Sequence, residues 1–215
     1  MTGKQSKAFE EGEGDAWFAR NEARLLSFDP VQDLACRVLK DVQCAPSRVL
    51  EIGAANGFRL AALRDRYGCE VVGTDASSRA VEDGKRRYGI ELHCSSAESV
   101  ELSGTFDLIV IHFLLHWMDR ASIPILQERV SELLVPGGLL LLGDFYPDSD
   151  IDVPYHHLPS QEVMTYKRDY GALFAHSGDL QLVGLTTGDH QDMQARTGVK
   201  SEDRIAIWLM ERAVS

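Results

Sequence analysis

A short apolar run that ends in a glycine-containing turn constrains this chain most. Residues 49–52 (Val-Leu-Glu-Ile) are typical of a buried strand, and Gly53 and Gly57 follow before a helical pattern over 58–66. In such a strand–turn–helix unit, glycines let backbone N–H groups approach a nucleotide-like ligand. The sequence therefore predicts a nucleotide-type binding loop at this turn.

The second predicted strand and the spacing of the glycines narrow the choice of nucleotide. Asp75 follows that strand at about the distance where an acidic residue meets ribose hydroxyls, although Ser77 and Ser78 leave a helix-capping role open. The NAD fingerprint G-x-G-x-x-G requires glycines where this chain has Ala55 and Phe58. The pattern therefore disfavours a dinucleotide.

Composition limits the class of protein. The chain has 215 residues, enough for one α/β domain, and a net charge of −11, which argues against a nucleic-acid partner. Its four cysteines have no paired spacing, so we expect reduced cytoplasmic thiols and no metal site. No apolar run is long enough for a membrane span or a signal peptide. We expect a cytoplasmic protein with no membrane partner, either a monomer or a homodimer.

Strands and helices alternate along most of the chain. The first five predicted strands are apolar on both faces and separated by helices, which indicates a parallel sheet covered on both sides. The last two have no helix between them, so we expect them to pair antiparallel. The predicted strands lie near 48–52, 70–74, 90–94, 106–111, 138–143, 180–186 and 204–212. The predicted helices lie near 15–26, 30–42, 58–66, 77–88, 97–100, 122–134 and 161–177.

Five segments occur in this order along the chain: Val49–Gly57, Val72–Asp75, Phe106–Val110, Leu115–Trp117 and Leu134–Gly138. Together they resemble the class I S-adenosylmethionine-dependent methyltransferases. The resemblance is close over residues 45–145 and architectural elsewhere. It implies an α/β fold, a Rossmann-like doubly wound sheet of seven mostly parallel strands, with an antiparallel last strand and helices on both faces.

The resemblance also implies a division of the chain. Residues 1–14 are expected to be a flexible tail, and 15–215 one methyltransferase domain. Within that domain we expect an N-terminal helical cap at 15–44 and a cofactor-binding core at 45–145. An acceptor-side loop and helix at 144–178 and a closing strand pair at 179–215 complete it.

S-adenosyl-L-methionine is the cofactor that the resemblance implies. The first loop would hold its methionine end, and Asp75 its ribose. Ala55 replaces a glycine that is common in the family, which is compatible with close approach if its φ is negative. Ser96 replaces an acidic residue that contacts the adenine amino group. The implied cofactor-binding residues in the core are Glu51, Gly53, Ala54, Gly57, Asp75, Ala76, Ser96, Ala97, Glu98, Ile111 and His112.

The N-terminal segment is a further candidate for cofactor contact. In the family, such a segment commonly closes over the cofactor. Trp17 could shield the sulfonium, and Arg20 could pair with the methionine carboxylate. The alternative is an amphipathic helix that packs on the sheet.

Three residues are candidates for catalysis. His112 and His116 follow the fourth strand, where ligands of open parallel sheets bind, and either imidazole could act as a base. Asp144 follows the fifth strand and could orient the acceptor. The alternatives are a packed helix residue for His116 and a loop cap for Asp144.

The predicted reaction is methyl transfer to an N or O atom of a small-molecule acceptor. The acidic segment 144–152 favours an amine-bearing or cationic acceptor by charge complementarity. Two alternatives remain: a non-catalytic S-adenosylmethionine-binding regulatory protein, and an NAD-dependent oxidoreductase.

Overall fold

The computed structural model describes residues 3–42, 44–159, 162–176 and 178–214, and its core is one large sheet. The central parallel strands are apolar at nearly every position because both sheet faces are covered. The strands along the chain are β1 (Arg48–Ile52), β2 (Glu70–Asp75), β3 (Glu91–Cys94), β4 (Phe106–His112), β5 (Leu134–Phe145), β6 (Ile151–Pro154), β7 (Met164–Lys167), β8 (Leu180–Asp189), β9 (Gln194–Ala195) and β10 (Arg204–Arg212).

Within the described residues, the large sheet has eight strands in the order β3-β2-β1-β4-β5-β10-β8-β9. The first five are parallel, and β10 runs antiparallel to both β5 and β8. The mostly parallel, doubly wound fold and the antiparallel last strand are therefore confirmed. The count differs from seven because the two-residue β9 pairs with the end of β8 at Gly188 and Asp189.

Helices cover both faces of the sheet, and each face has its own apolar core. The regular helices are α1 (Lys4–Ala8), α2 (Gly14–Leu26), α3 (Leu34–Asp41), α4 (Phe58–Tyr67), α5 (Ser78–Tyr88), α6 (Ile123–Leu133) and α7 (Tyr170–Ala175). One core packs α6 and α7 against residues such as Ile52 and Ile111, and the other packs α3, α4 and α5 against Val49 and Val110. In the described part of the chain, no helix is long and apolar enough to cross a bilayer.

The N-terminus differs from the flexible tail expected over residues 1–14, of which 1 and 2 lie outside the described residues. Helix α1 and a π-helical turn at Phe9–Glu13 lead directly into α2. The buried Gln5 side chain donates to the Met164 carbonyl at 2.9 Å and accepts from the Met164 N–H at 2.6 Å. Polar contacts of this kind produce no pattern of apolar residues in the sequence, so the packing of the N-terminal segment against β7 could not be predicted.

The segment after β5 also differs from the expected loop and long helix. Strands β6 and β7 form an antiparallel hairpin, and the helix is restricted to α7, with Asp169 accepting from the Ala172 N–H at its start. Residues 161 and 177 of the predicted helix lie outside the described residues. Helix α3 similarly starts later than predicted, because Asp33 caps it through the Cys36 N–H at 2.9 Å.

Candidate functional site

A cavity of about 790 Å³ lies at the carboxyl ends of β1 to β4, beside α2. This is the edge of a parallel sheet where ligands bind. Nine of the predicted site residues line it: Trp17, Gly53, Asp75, Ala76, Ser96, Ala97, Glu98, His112 and His116. Six do not: Arg20, Glu51, Ala54, Gly57, Ile111 and Asp144.

The glycine loop has a left-handed backbone at three positions. Gly53 has φ 78°, and Gly57, which starts α4, has φ 74°. Ala55 also has a positive φ, 49°, and not the negative φ under which an alanine readily permits close approach. Its N–H donates to Asp75 Oδ2 at 2.7 Å, and this bond helps hold the strained conformation.

We expect Ala55→Gly to raise the free energy of unfolding by up to about 1 kcal/mol. The substitution relieves about 1–2 kcal/mol of left-handed strain, and the extra freedom of glycine in the unfolded chain offsets part of this gain. Urea denaturation measures the change, and Ala54→Gly, at a buried neighbour, is the control expected to destabilise. A lower stability for Ala55→Gly would contradict the strain.

Asp75 lies on the cavity and does not cap helix α5. The cap is Ser77, whose Oγ accepts from the Ala80 N–H at 3.0 Å. Asp75 accepts from the N–H groups of Ala55 and Ser77 at 2.7 and 2.8 Å, and burial raises the pKa of its carboxyl. The same carboxylate can thus organise the loop and accept hydrogen bonds from a ligand's hydroxyl groups.

The turn after β3 presents polar atoms that the protein leaves unpartnered. Ser95 Oγ and Glu98 Oε2 are buried, line the cavity and have no hydrogen-bond partner among the described residues. The Ser96 hydroxyl instead donates to Ser99 Oγ at 3.1 Å. Buried polar atoms are normally satisfied, so a heterocyclic base with donors and acceptors fits here. Sequence reasoning chose Ser96 and missed Ser95, its neighbour.

Arg59 lies at the centre of a buried ion cluster next to the cavity. It donates to Glu51, to Asp33 at 3.1 Å and to His112 Nδ1 at 3.2 Å. Burial raises the pKa of Glu51 to about 7, although Arg59 acts in the opposite direction. Glu51 forms an ion pair with Arg59 and is not among the residues that line the cavity. Arg59 was not predicted as a site residue from the sequence, although it lies only two residues after Gly57 of the glycine loop.

His112 is placed as a hydrogen-bond donor and is a poor base. Its Nδ1 accepts from Arg59, so a neutral ring carries its proton on Nε2, which is buried without a partner among the described residues. Burial, together with the nearby Arg59 charge, lowers the pKa of His112 to about 3. The ring therefore remains neutral near pH 7.

His116 and Asp144 form a buried pair at the junction of β4 and β5. His116 Nδ1 donates to Asp144 Oδ1 at 2.9 Å, and the His116 N–H donates to Oδ2 at 3.2 Å. The Phe145 N–H also donates to this carboxylate, at 2.7 Å. With Nδ1 protonated, Nε2 carries the lone pair, and the ring lines the cavity. This arrangement suits a general base.

The N-terminal helix places Trp17, but not Arg20, on the cavity. The Trp17 ring lies 6.0 Å from that of Trp117, and both line the cavity. Arg20 is not among the lining residues; it pairs with Glu13 and donates to the Tyr155 hydroxyl at 3.2 Å. Arg24 lines the cavity instead. It lies seven residues after Trp17, and residues seven apart lie on the same face of a helix.

The acidic segment after β5 does not supply negative charge to the cavity. Asp148 pairs with Arg204 at 2.5 Å, and Asp150 and Asp152 pair with Arg168. None of these carboxylates lines the cavity. The charge argument for a cationic acceptor therefore fails.

Comparisons with known proteins agree with the geometry. Residues 49–138 match the family model described as a methyltransferase domain. A Dictyostelium discoideum protein named as a methyltransferase is 27% identical over 122 residues, which cover 55% of this chain and 45% of that protein. The malonyl-[acyl-carrier protein] O-methyltransferase of Anoxybacillus flavithermus is 29% identical over 40% of this chain and 34% of its own length. The chain thus spans less than half the length of these curated relatives.

Solved structures share the fold over nearly the whole chain. The Burkholderia thailandensis 1,6-didemethyltoxoflavin-N1-methyltransferase, solved with its namesake ligand and S-adenosylhomocysteine, has a TM-score of 0.74 at 14% identity. That match covers 100% of this chain and 92% of the other. The N-methyltransferase NodS of Bradyrhizobium japonicum has a TM-score of 0.60 at 18% identity, over 92% and 97% of the two chains. Residues 49–138 of the chain thus match a methyltransferase domain, and the whole chain shares its fold with solved methyltransferase structures.

Proposed function

We propose that this protein transfers a methyl group from S-adenosylmethionine to an N or O atom of a small-molecule acceptor. The observation that carries the proposal is a single cavity with two kinds of lining. Gly53, Asp75 and Ser95 suit a nucleoside, and His116, held by Asp144, lines the same cavity. The domain match at 49–138 supports the same reaction class.

The proposed cofactor contacts follow from the polar and aromatic side chains that line the cavity. Asp75 would accept from the ribose hydroxyls, and Ser95 and Glu98 would meet the adenine. Arg24 and the His112 Nε2–H are the donors suited to the methionine carboxylate. Trp17 can shield the sulfonium, because a cation over an aromatic ring face is stabilised.

The proposed chemistry needs little more than alignment and one proton acceptor. S-adenosylmethionine supplies a methyl group on a sulfonium, so the acceptor atom bonds to the methyl carbon as the carbon–sulfur bond breaks and S-adenosylhomocysteine leaves. His116 Nε2 takes the proton that the acceptor loses, and Asp144 stabilises the resulting imidazolium. Alignment within the closed cavity contributes on the order of 7–11 kcal/mol.

Isothermal titration with S-adenosylmethionine and S-adenosylhomocysteine tests the proposal. We expect both to bind, and a labelled methyl group to reach a member of an acceptor panel. Failure to bind either molecule would overturn the proposal. Binding without turnover across a broad panel would favour the non-catalytic regulatory alternative, and tight NADH binding would favour the oxidoreductase.

We expect Asp75→Ala to weaken binding of S-adenosylhomocysteine by about 1–3 kcal/mol, because a charged acceptor of hydrogen bonds is removed. Asp75→Asn keeps one oxygen acceptor and should lose less. Titration gives the affinities, and thermal melting of the ligand-free variants reports on the fold. If melting collapses while affinity per folded molecule is unchanged, the role of Asp75 is structural.

A further inference from the structure

We infer that the acceptor is a planar aromatic or heteroaromatic molecule that carries an ionisable O–H or N–H. The flat ring is held against Phe113 and Phe145, and the negative charge that develops on it faces Lys167. This inference rests on the proposed methyl transfer and specifies its acceptor. It differs from a cationic acceptor, for which the acidic segment provides no charge in the cavity.

An aromatic corner forms the wall of the cavity beside the His116–Asp144 pair. The rings of Phe113 and Phe145 meet at 5.6 Å and 79°, and His190, at the exposed rim, lies 4.7 Å from Phe145. The residues come from three separate segments, after β4, at the end of β5 and after β8. Phe145 is almost fully buried, whereas Phe113 is partly exposed on the cavity, which suits Phe113 for stacking on a flat aromatic guest.

The backbone at Phe113 is strained in a way that fixes this corner. Phe113 has φ 55°, which is unusual for a bulky residue, and its N–H donates to the Gly143 carbonyl at 2.7 Å. Strained residues of this kind concentrate at ligand sites. The conformation places the ring on the cavity, next to β5.

Lys167 supplies a positive charge at the same wall. Its Nζ lies 4.1 Å from the centre of the Phe145 ring and donates to the Glu202 carbonyl at 2.5 Å. In the described residues, no carboxylate forms an ion pair with it. Two carboxylates that line the cavity, Asp33 and Asp192, are already paired with arginines. The half-buried ammonium is therefore available to an anionic oxygen or nitrogen of a ligand.

The base and the charge lie on the same wall, which links binding to the proposed proton transfer. The His116 ring lies 5.2 Å from Phe145 and 5.8 Å from Phe113. An aromatic O–H or N–H stacked in this corner can give its proton to His116 Nε2 and form its new bond to the methyl carbon. Lys167 stabilises the negative charge that develops on the acceptor as its proton leaves; this charge is lost as the new bond to the methyl carbon forms and the carbon–sulfur bond breaks.

Three probes test the acceptor class by titration into the 215-residue protein saturated with S-adenosylhomocysteine. They are 2-naphthol, its saturated analogue decahydro-2-naphthol, and the cationic amine 1-naphthylmethylamine. We expect 2-naphthol to bind about tenfold more tightly than either of the other two, because only it combines a flat ring with an acidic hydroxyl. Equal or tighter binding of the amine or of the saturated alcohol would overturn the inference.

Variants separate the charge from the rings. Lys167→Met should weaken 2-naphthol about tenfold and leave decahydro-2-naphthol unchanged, since a charged hydrogen bond is lost. Lys200→Met, at an exposed lysine away from the cavity, is the matched control. No change with Lys167→Met would contradict the charge assignment. If S-adenosylhomocysteine itself does not bind, the proposed function has failed; if it binds but the probe ranking is reversed, only the acceptor class has failed.

Discussion

Replacing His116 with glutamine is expected to lower kcat by about 10²–10⁴-fold while the affinity for S-adenosylmethionine changes little. The substitution removes the Nε2 lone pair that would accept the acceptor's proton. It keeps a polar side chain near Asp144, which otherwise would lose the Nδ1–H at 2.9 Å. Steady-state rates with the best acceptor and titration with the cofactor measure the two effects separately.

Two further variants make the result specific. Asp144→Asn should also lower kcat, because Asp144 orients the Nδ1–H and stabilises the imidazolium. His93→Gln, at an exposed histidine outside the cavity, should retain wild-type activity. If His116→Gln keeps kcat within threefold of the wild type, alignment alone carries the reaction and the pair has a structural role.

Replacing Arg59 with methionine is expected to lower the free energy of unfolding by about 3–5 kcal/mol, the second large effect. Arg59 is buried between Glu51 and Asp33, with which it forms ion pairs. Its removal leaves two carboxylates without their cation, one of them in the sheet core. Urea denaturation at pH 7.5 measures the loss, and Arg66→Met, at an exposed position on the same helix, should change stability by less than about 0.5 kcal/mol.

The pH dependence of this loss has a defined sign. Burial raises the pKa of Glu51 from 4.5 to about 7, so its contribution to stability is full below pH 4.5 and is lost as the pH rises through 7. Burial opposes ionisation of Asp33 too, but Arg59 and His112 outweigh it and hold the pKa of that carboxyl well below its usual range. Its contribution is present above pH 3.8 and is lost on acidification.

Without Arg59, both carboxyls are expected to have higher pKa values and to be protonated in mildly acidic solution. The stability difference between wild type and Arg59→Met should therefore shrink from pH 7.5 toward pH 4. A difference that grows on acidification would contradict the assignment of Arg59 as the cation shared by Glu51 and Asp33. A difference below 1 kcal/mol at pH 7.5 would show that the cluster is replaceable by apolar packing.

Local sequence was enough to predict the parallel core and the cofactor end of the cavity. Each strand of the core carries its own apolar run. Gly53 and Gly57 lie within five residues of the end of β1 and Asp75 is the last residue of β2, so their positions depend on near neighbours. The sign of φ at Ala55 could not be predicted from local sequence, because the bond from its N–H to Asp75 spans 20 residues. Ser95 and Ser96 are adjacent residues of the same type. Only the folded turn determines that the Ser96 hydroxyl bonds to Ser99, while the Ser95 hydroxyl has no partner among the described residues.

The sequence by itself determined the order of strands and helices and the type of loop that faces the cofactor, because these depend on hydrophobic period and turn chemistry. Only the tertiary structure decided which candidates act together. His116 is hydrogen-bonded to Asp144, 28 residues away in the sequence. Glu51, which was predicted to bind the cofactor, instead accepts a hydrogen bond from Arg59. The tertiary structure also packs the N-terminus onto Met164 through hydrogen bonds. Such long-range polar contacts leave no recognisable local pattern in a sequence, whereas the glycine loop is recognisable from a few consecutive residues.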